Sequence, residues 1–289
     1  SGQFAIQAFL KSSVYDSLIA NYLSQLMENQ TDDVPSYLSI IMRKKSSLRY
    51  GENPHQKAAL YEDLSLDRQG FIHNYQQFGG KELSFNNLYD TQAAYSLVRE
   101  FDQPATVIVK HNNPCGVAID AELSHSAAKA LECDPVSAFG GIIAFNRTVD
   151  PDTAMVFKSL FIEVVIAPDF QPDAMKIFEA KKNLRILKAP FNSPAEYDIK
   201  KLDGGYLVQN PDRLSYDPNQ LKTVTELTPS DQERESLLFG WTVAKHVKSN
   251  AIILTKGLQT VGIGAGQMSR IDSFKIACLK AGGKEIGSV

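Results

Sequence analysis

The sequence predicts an α/β fold with a mostly parallel sheet, and three observations carry that reading. Short β-branched runs recur at Ala105–Lys110 (ATVIVK), Gly141–Phe145 (GIIAF) and 164–167 (VVIA). Helix-like stretches at 124–132 and 152–160 fall between them, which is the alternation that builds parallel sheets. The second of these stretches opens at Asp150-Pro151, where the Asp caps and the Pro takes the first turn.

The remaining elements follow in order. Apolar positions at helical spacing over 4–26 predict an amphipathic helix, and Glu28-Asn29-Gln30-Thr31-Asp32-Asp33 reads as a polar linker after it. A helix is expected over 88–100, with Asn86 and Asn87 at its start, where side-chain amides cap a helix or read a polar ligand. From about 190 to 231 Asn, Asp, Pro and Gly recur, as in Asn210-Pro211-Asp212, so the stretch reads as a long surface connection between two halves. A second α/β unit is expected to begin with a helix over 232–248. Strands at 251–254 and 259–263 then flank a turn at Lys256-Gly257, and a helix over 271–281 closes the chain.

Composition bounds the function. With 289 residues, 43% hydrophobic and 22% charged, the chain has the balance of an ordinary soluble protein of one large domain or two smaller ones. A net charge of −3 argues against nonspecific nucleic-acid binding. No apolar run approaches the roughly 18 residues that span a membrane, and no signal-peptide pattern is present. Cys115, Cys133 and Cys278 are few, odd in number and widely spaced, so a reducing cytoplasm is the expected compartment.

Four motifs could carry chemistry. Val109-Lys110-His111-Asn112-Asn113-Pro114-Cys115-Gly116 sits where a strand ends, the place where α/β sheets bind ligands, and supplies a cation beside an imidazole. Its structural reading is a charged strand end with His111 capping a turn. Leu48-Arg49-Tyr50-Gly51-Glu52-Asn53-Pro54-His55-Gln56 offers a guanidinium fork, an aromatic face and a glycine for close backbone approach, or simply a polar turn. The third motif runs from Gly79-Gly80-Lys81 through Asn86-Asn87 to Tyr89-Asp90. The fourth is Ser249-Asn250 followed by Val261-Gly262-Ile263-Gly264-Ala265-Gly266-Gln267-Met268-Ser269-Arg270. Its glycines lack dinucleotide spacing, so NAD is rejected, but a glycine turn leading into a helix could hold an anion beside Arg270. Pro114-Cys115 is half of a zinc-deaminase signature, with Ala118 where the second Cys would stand. His111, His125 and His246 lack ligand spacing, so no metal is expected.

Taken in order, Arg49 to Gln56, Gly80 to Asp90, Lys110 to Gly116, Ser137-Ala138-Phe139-Gly140-Gly141, Val165-Ile166-Ala167-Pro168 and Lys248 to Arg270 resemble the transformylase domain of the bifunctional AICAR transformylase/IMP cyclohydrolase family of purine biosynthesis. The resemblance covers nearly the whole chain, and residues 4–26 are similar to the tail of that family's cyclohydrolase domain. It implies two cytidine-deaminase-like subdomains, the second incomplete at the C-terminus. The divisions are 1–33 (end of the cyclohydrolase domain and linker), 34–200 (first subdomain) and 201–289 (connection and partial second subdomain).

The same resemblance implies formyl transfer from 10-formyltetrahydrofolate to the aminoimidazole carboxamide ribonucleotide (AICAR) by a cytoplasmic homodimer with shared active sites. The partners are a nucleotide and a folate, with no nucleic acid and no membrane. Position by position, Lys110 and His111 match the catalytic pair. Arg49, Tyr50, Asn87, Gly140, Glu163, Asn250 and Arg270 match substrate positions, and Ile271 a folate position. Glu163 stands where some relatives carry Asp. No metal is required, and a monovalent cation near Ser249 stays open. The family continues beyond Val289, so a noncatalytic nucleotide- or folate-binding module is the competing expectation, with a purine deaminase a weaker third.

Overall fold

The computed structural model describes residues 2–27, 34–64, 70–191, 197–213, 217 and 220–289. In chain order come helix α1 (Gly2–Met27), strands β1 (Met42–Leu48) and β2 (Ala58–Asp63), helix α2 (Phe71–Asn74), strand β3 (Gln76–Gln77) and helix α3 (Phe85–Val98). Strands β4 (Ala105–Lys110) and β5 (Asn113–Ile119), helix α4 (Leu123–Cys133), strand β6 (Gly141–Phe145), helix α5 (Pro151–Val156), strand β7 (Ile162–Ala167), helix α6 (Pro172–Glu179) and strand β8 (Arg185–Lys188) follow. The last elements are strands β9 (Asp198–Leu202) and β10 (Gly205–Gln209), helix α7 (Asp231–Ala244), strands β11 (Ile252–Lys256) and β12 (Gln259–Gly264), and helix α8 (Arg270–Ala281). They fall into two units, one of 1–74 with 192–213, the other of 75–191 with 214–289.

The first unit holds α1, the antiparallel pair β1–β2 and the hairpin β9–β10. Helix α1 forms where the 4–26 periodicity places it, and it presents Phe4, Phe9, Tyr15 and Tyr22 to solvent. No helix among the described residues is long and apolar enough to cross a membrane. The polar linker at 28–33 lies outside the described residues, as do 192–196, 214–216 and 218–219 of the expected connection. That connection is not irregular throughout, because β9–β10 is part of it.

The second unit is built on an eight-stranded sheet in the order β11-β12-β5-β4-β6-β7-β8-β3. It is α/β, but the expected mostly parallel sheet is corrected: only β6–β7 and β7–β8 are parallel, and every other neighbouring pair is antiparallel. Parallel pairing needs a crossover, which α5 and α6 supply between β6, β7 and β8. Strand β4 instead reverses through a two-residue turn into β5, with Lys110 opposite Asn113. Asn113 to Gly116, which lie beyond the strand end that the sequence predicts at Lys110, start that returning strand. The β11–β12 hairpin likewise extends this sheet, through Gln259 opposite Ala118, and does not open one of its own.

Strands β4, β6 and β7 are buried on both faces, which is why they read as continuous apolar runs. Ile108, Ile143, Phe145, Val165 and Ile186 pack with Ala127 and Ala130 of α4, Ala154 of α5 and Phe178 of α6. Their neighbours Val107, Val109, Val164 and Ile166 alternate to the other face, where α3 covers β4, β6 and β7. Thr106 reaches α4 through a buried 2.7 Å hydroxyl–hydroxyl bond to Ser126. Asp150 caps α5, accepting from the Thr153 N–H at 2.7 Å, with Pro151 in the first turn as the sequence predicts. The helix ends at Val156, four residues before the expected 160.

Candidate active site

The turn between β4 and β5 is His111-Asn112, and both residues are left-handed, with φ of 50° and 60°. Two such residues closing a two-residue hairpin make a type I′ turn, whose twist suits the flanking strands. Neither is glycine, so the conformation costs roughly 1–2 kcal/mol per residue, less for an Asn. What holds it is Asp90 of α3. One carboxylate oxygen accepts from the His111 N–H at 3.1 Å and the other from the Asn112 N–H at 2.9 Å. Hydrogen bonds to a charged acceptor contribute about 1.5–3 kcal/mol each, enough to offset that cost. The turn leaves the His111 side chain exposed, and among the described residues nothing hydrogen-bonds its ring.

Lys110, the last residue of β4, is half-buried and donates from Nζ to the Gly140 carbonyl at 2.8 Å. An ammonium has three N–H donors, so two remain for a ligand. Gly140 has φ +67°, and a Cβ there would stand 3.0 Å from that Nζ, so glycine serves both the turn and the space beside the lysine. The Phe161 ring borders Gly140 and meets the Phe139 ring at 5.2 Å between centroids, both about half exposed.

Glu163, at the start of β7, joins this group through its neighbours. Its Oε2 accepts from Asn87 Nδ2 at 2.7 Å and lies 3.5 Å from Arg185, which also donates to the Glu82 carbonyl. Asn87 is buried at the third position of α3, where its Oδ1 accepts the Ser84 N–H while Ser84 Oγ accepts the Asn87 N–H. This reciprocal capping box starts α3 three residues before the expected 88 and engages both ends of the Asn87 amide inside the protein. Lys110 lies at the carboxyl end of β4 but at the amino ends of β6, β7 and β8, since β4 runs against β6. The carboxyl-end rule therefore finds the place only through the antiparallel strand.

The segment before β11 is tied to the same hairpin, the Lys248 N–H donating to Asn113 Oδ1 at 3.2 Å. Asn250 Nδ2 donates to the Gln267 and Met268 carbonyls, both at 3.0 Å, and its own carbonyl accepts from Ser273 of α8 at 2.6 Å. Arg270 and Ile271 are exposed in the first turn of α8, whose preceding Ser269 makes no side-chain cap. Arg49 and Tyr50 belong to the first unit, the guanidinium carbon 5.6 Å from the phenol centroid. Gln56 staples the loop after them, accepting from the Gly51 and Asn53 N–H groups at 2.9 and 2.7 Å.

Several groups are excluded by their surroundings. Cys115 is buried, and burial, with Cys133 and Asp134 adding to it, pushes its thiol far above the range of a nucleophile. His246 and Lys245 both bond to Glu100, and His125 lies 3.5 Å from Asp120. Among the described residues no group of three or more His, Cys, Asp and Glu side chains is arranged to hold a metal. Asp90 and Arg185 were not singled out as site residues from sequence. Asp90 stands at i+3 from Asn87, and that shared helix face was the available signal.

Residues 2–280 match the profile of the AICARFT/IMPCHase bienzyme family. The chain is 50% identical over 285 residues to the bifunctional purine biosynthesis protein PurH of a Thermoanaerobacter species, covering 99% of this chain and 55% of that protein. It is 46% identical over 289 residues to the protein of the same description from Halalkalibacterium halodurans, covering 99% of this chain and 56% of that one. The chain thus spans about half the length of the curated relatives it matches.

Proposed function

Because this chain belongs to the AICARFT/IMPCHase bienzyme family, we propose that it carries the formyl-transfer reaction, from 10-formyltetrahydrofolate to AICAR in purine biosynthesis. The observation that carries the proposal is the placement of Lys110 and His111 side by side at a clasped turn. Lys110 keeps N–H donors to spare, and among the described residues nothing hydrogen-bonds the His111 ring.

In this reading the ribonucleotide amine attacks the formyl carbon. His111 accepts the proton released as the N–C bond forms, a contribution of about 10²–10⁴-fold for a general base. The formyl oxygen gains negative charge, which Lys110 stabilises from its anchored position. When the bond from the formyl carbon to the folate nitrogen breaks, the proton from His111 goes to that nitrogen, and tetrahydrofolate leaves. Glu163 and Asn250 orient polar groups of the substrate. Gly140 leaves room beside Lys110, and Asn87 acts by holding Glu163. Arg49 and Arg270 hold anionic groups, Tyr50 offers a face to the base, and Ile271 contacts the folate. Such positioning converts an encounter of weak reactants into an effectively unimolecular step.

The family reading also assigns 1–33 to the end of a cyclohydrolase domain and its linker, 34–200 to a first cytidine-deaminase-like subdomain and 201–289 to part of a second. It further assigns a cytoplasmic homodimer with shared sites and no metal in the chemistry. The test is a formyl-transfer assay on the 289-residue chain, following tetrahydrofolate release. Turnover that drops at least about 100-fold in both Lys110→Ala and His111→Ala supports the mechanism; full turnover in either variant overturns it.

A further inference from the structure

We propose that Asp90 is a positioning residue, whose carboxylate holds the His111-Asn112 turn and thereby fixes where the His111 imidazole stands; the catalytic meaning of that place rests on the formyl-transfer reading above. Each carboxylate oxygen takes one backbone N–H of the turn, at 3.1 and 2.9 Å. A pair of bonds to consecutive amides fixes orientation as well as position. Both residues sit at positive φ without being glycine. Without the clasp they would relax toward ordinary negative φ, and the Cα–Cβ bond of His111 would swing with the backbone.

The anchor is itself rigid. Asp90 stands on α3, a helix of 14 residues closed at its start by the Ser84–Asn87 capping box. One turn earlier on that helix, Asn87 holds Glu163 at 2.7 Å. A single helix face therefore grips both the carboxylate on β7 and the turn that carries His111. The separation of those two groups follows from one helical turn and not from the flexible ends of two strands. No backbone atom of the turn reaches Asp90 by chance of sequence proximity, since 21 and 22 positions separate the partners.

The experiment compares the wild-type chain with Asp90→Ala, Asp90→Asn and the double variant Asp90→Ala/Asn112→Gly. Amide hydrogen exchange at positions 111 and 112, relaxation of the His111 ring and steady-state formyl transfer are measured on each. In Asp90→Ala both amides are expected to exchange at least about 10-fold faster, with the ring more mobile. The value of kcat is expected to fall about 10- to 100-fold with KM for the ribonucleotide within about threefold, the signature of lost geometry and not of lost binding. Glycine at 112 favours the I′ turn by itself, so the double variant is expected to regain about 10-fold in kcat, a rescue that a merely structural loss would not show. Asp90→Asn keeps one acceptor and is expected to fall between; it carries the comparison if the alanine variant does not fold. Unchanged amide exchange and ring mobility on removing the carboxylate would overturn the proposal, as would fast exchange with kcat within twofold of wild type. A wild-type chain without turnover counts against the formyl-transfer reading alone, because exchange and ring relaxation still decide the clasp.

Discussion

At the scale of the residue, the proposed site depends on atoms that leave little freedom to Lys110. Its ammonium is anchored on the Gly140 carbonyl, and Gly140 adopts φ +67° with a Cβ there standing only 3.0 Å from Nζ. Gly140→Ala is therefore expected to cost about 1–2 kcal/mol of stability from backbone strain. It should also lower turnover about 10-fold or more by displacing Lys110. Urea unfolding and the formyl-transfer assay check the two halves, and a variant with full turnover would remove Gly140 from the site. The thiols give a second expectation. Burial pushes Cys133 up to about 11 and Cys115 further, while Cys278 is only half-buried. An aromatic disulfide reagent at neutral pH should label Cys278 in the native chain and reach the other two only on unfolding. Fast labelling of Cys115 would contradict the packing. Lys110 and His111 were legible in the sequence as a lysine beside a histidine closing an apolar run. Asp90 was not, because its partners are backbone amides of a turn that only strand pairing creates.

At the scale of the element, α8 shows how packing sets the second part of the proposed site. A Cβ at Gly264 would fall 1.9 Å from the Ser273 carbonyl, so β12 and α8 touch backbone to backbone. Ser273 in turn holds the Asn250 carbonyl, and Arg270 and Ile271 open the same helix. Gly264→Ala is expected to push α8 away and cost about 3 kcal/mol or more, the upper end of overpacking penalties. Ribonucleotide KM should rise with it, since Asn250 and Arg270 move together. Thermal unfolding and KM measured on the one variant check this, and a stable protein with unchanged KM would refute it. The glycines of this stretch looked like an anion-binding loop in the sequence. In the fold, Gly264 is needed for helix–strand contact, a use that linear spacing cannot distinguish from phosphate binding.

At the scale of the whole molecule, ion pairs in the second unit, one of them joining Asp134 to distant Lys280, make it acid-sensitive. Burial raises the Asp134 carboxyl, but hydrogen bonds from Lys280 and Ser137 outweigh it and hold the group below the usual range. The bond from Lys129 does the same for Asp120, against a smaller opposing effect of burial. Groups depressed in the folded state bind protons more readily when unfolded, so their stabilisation is present above the unfolded value near about 4. It is lost as pH falls through the lower folded values. The urea midpoint is expected to hold between pH 7 and 5 and to drop by pH 3. Lys280→Ala should flatten that drop by removing the partner of Asp134, and an unchanged pH profile in the variant would assign the acid sensitivity elsewhere.

What the sequence determined by itself was the class of the elements it predicted, the positions of Lys110 and His111, and the family to which six ordered segments pointed. Each of these depends on local periodicity or on motif order, which chain neighbours encode directly. The tertiary structure alone decided that the sheet is mixed, because a two-residue reversal after Lys110 and a crossover look alike until partners are paired. It alone placed Glu163 beside Asn87, and Asp90 under the His111 turn. Those contacts span 76 and 21 positions. Long-range pairings of that kind arise from burial of both sheet faces and from the satisfaction of backbone amides, which no window of sequence contains.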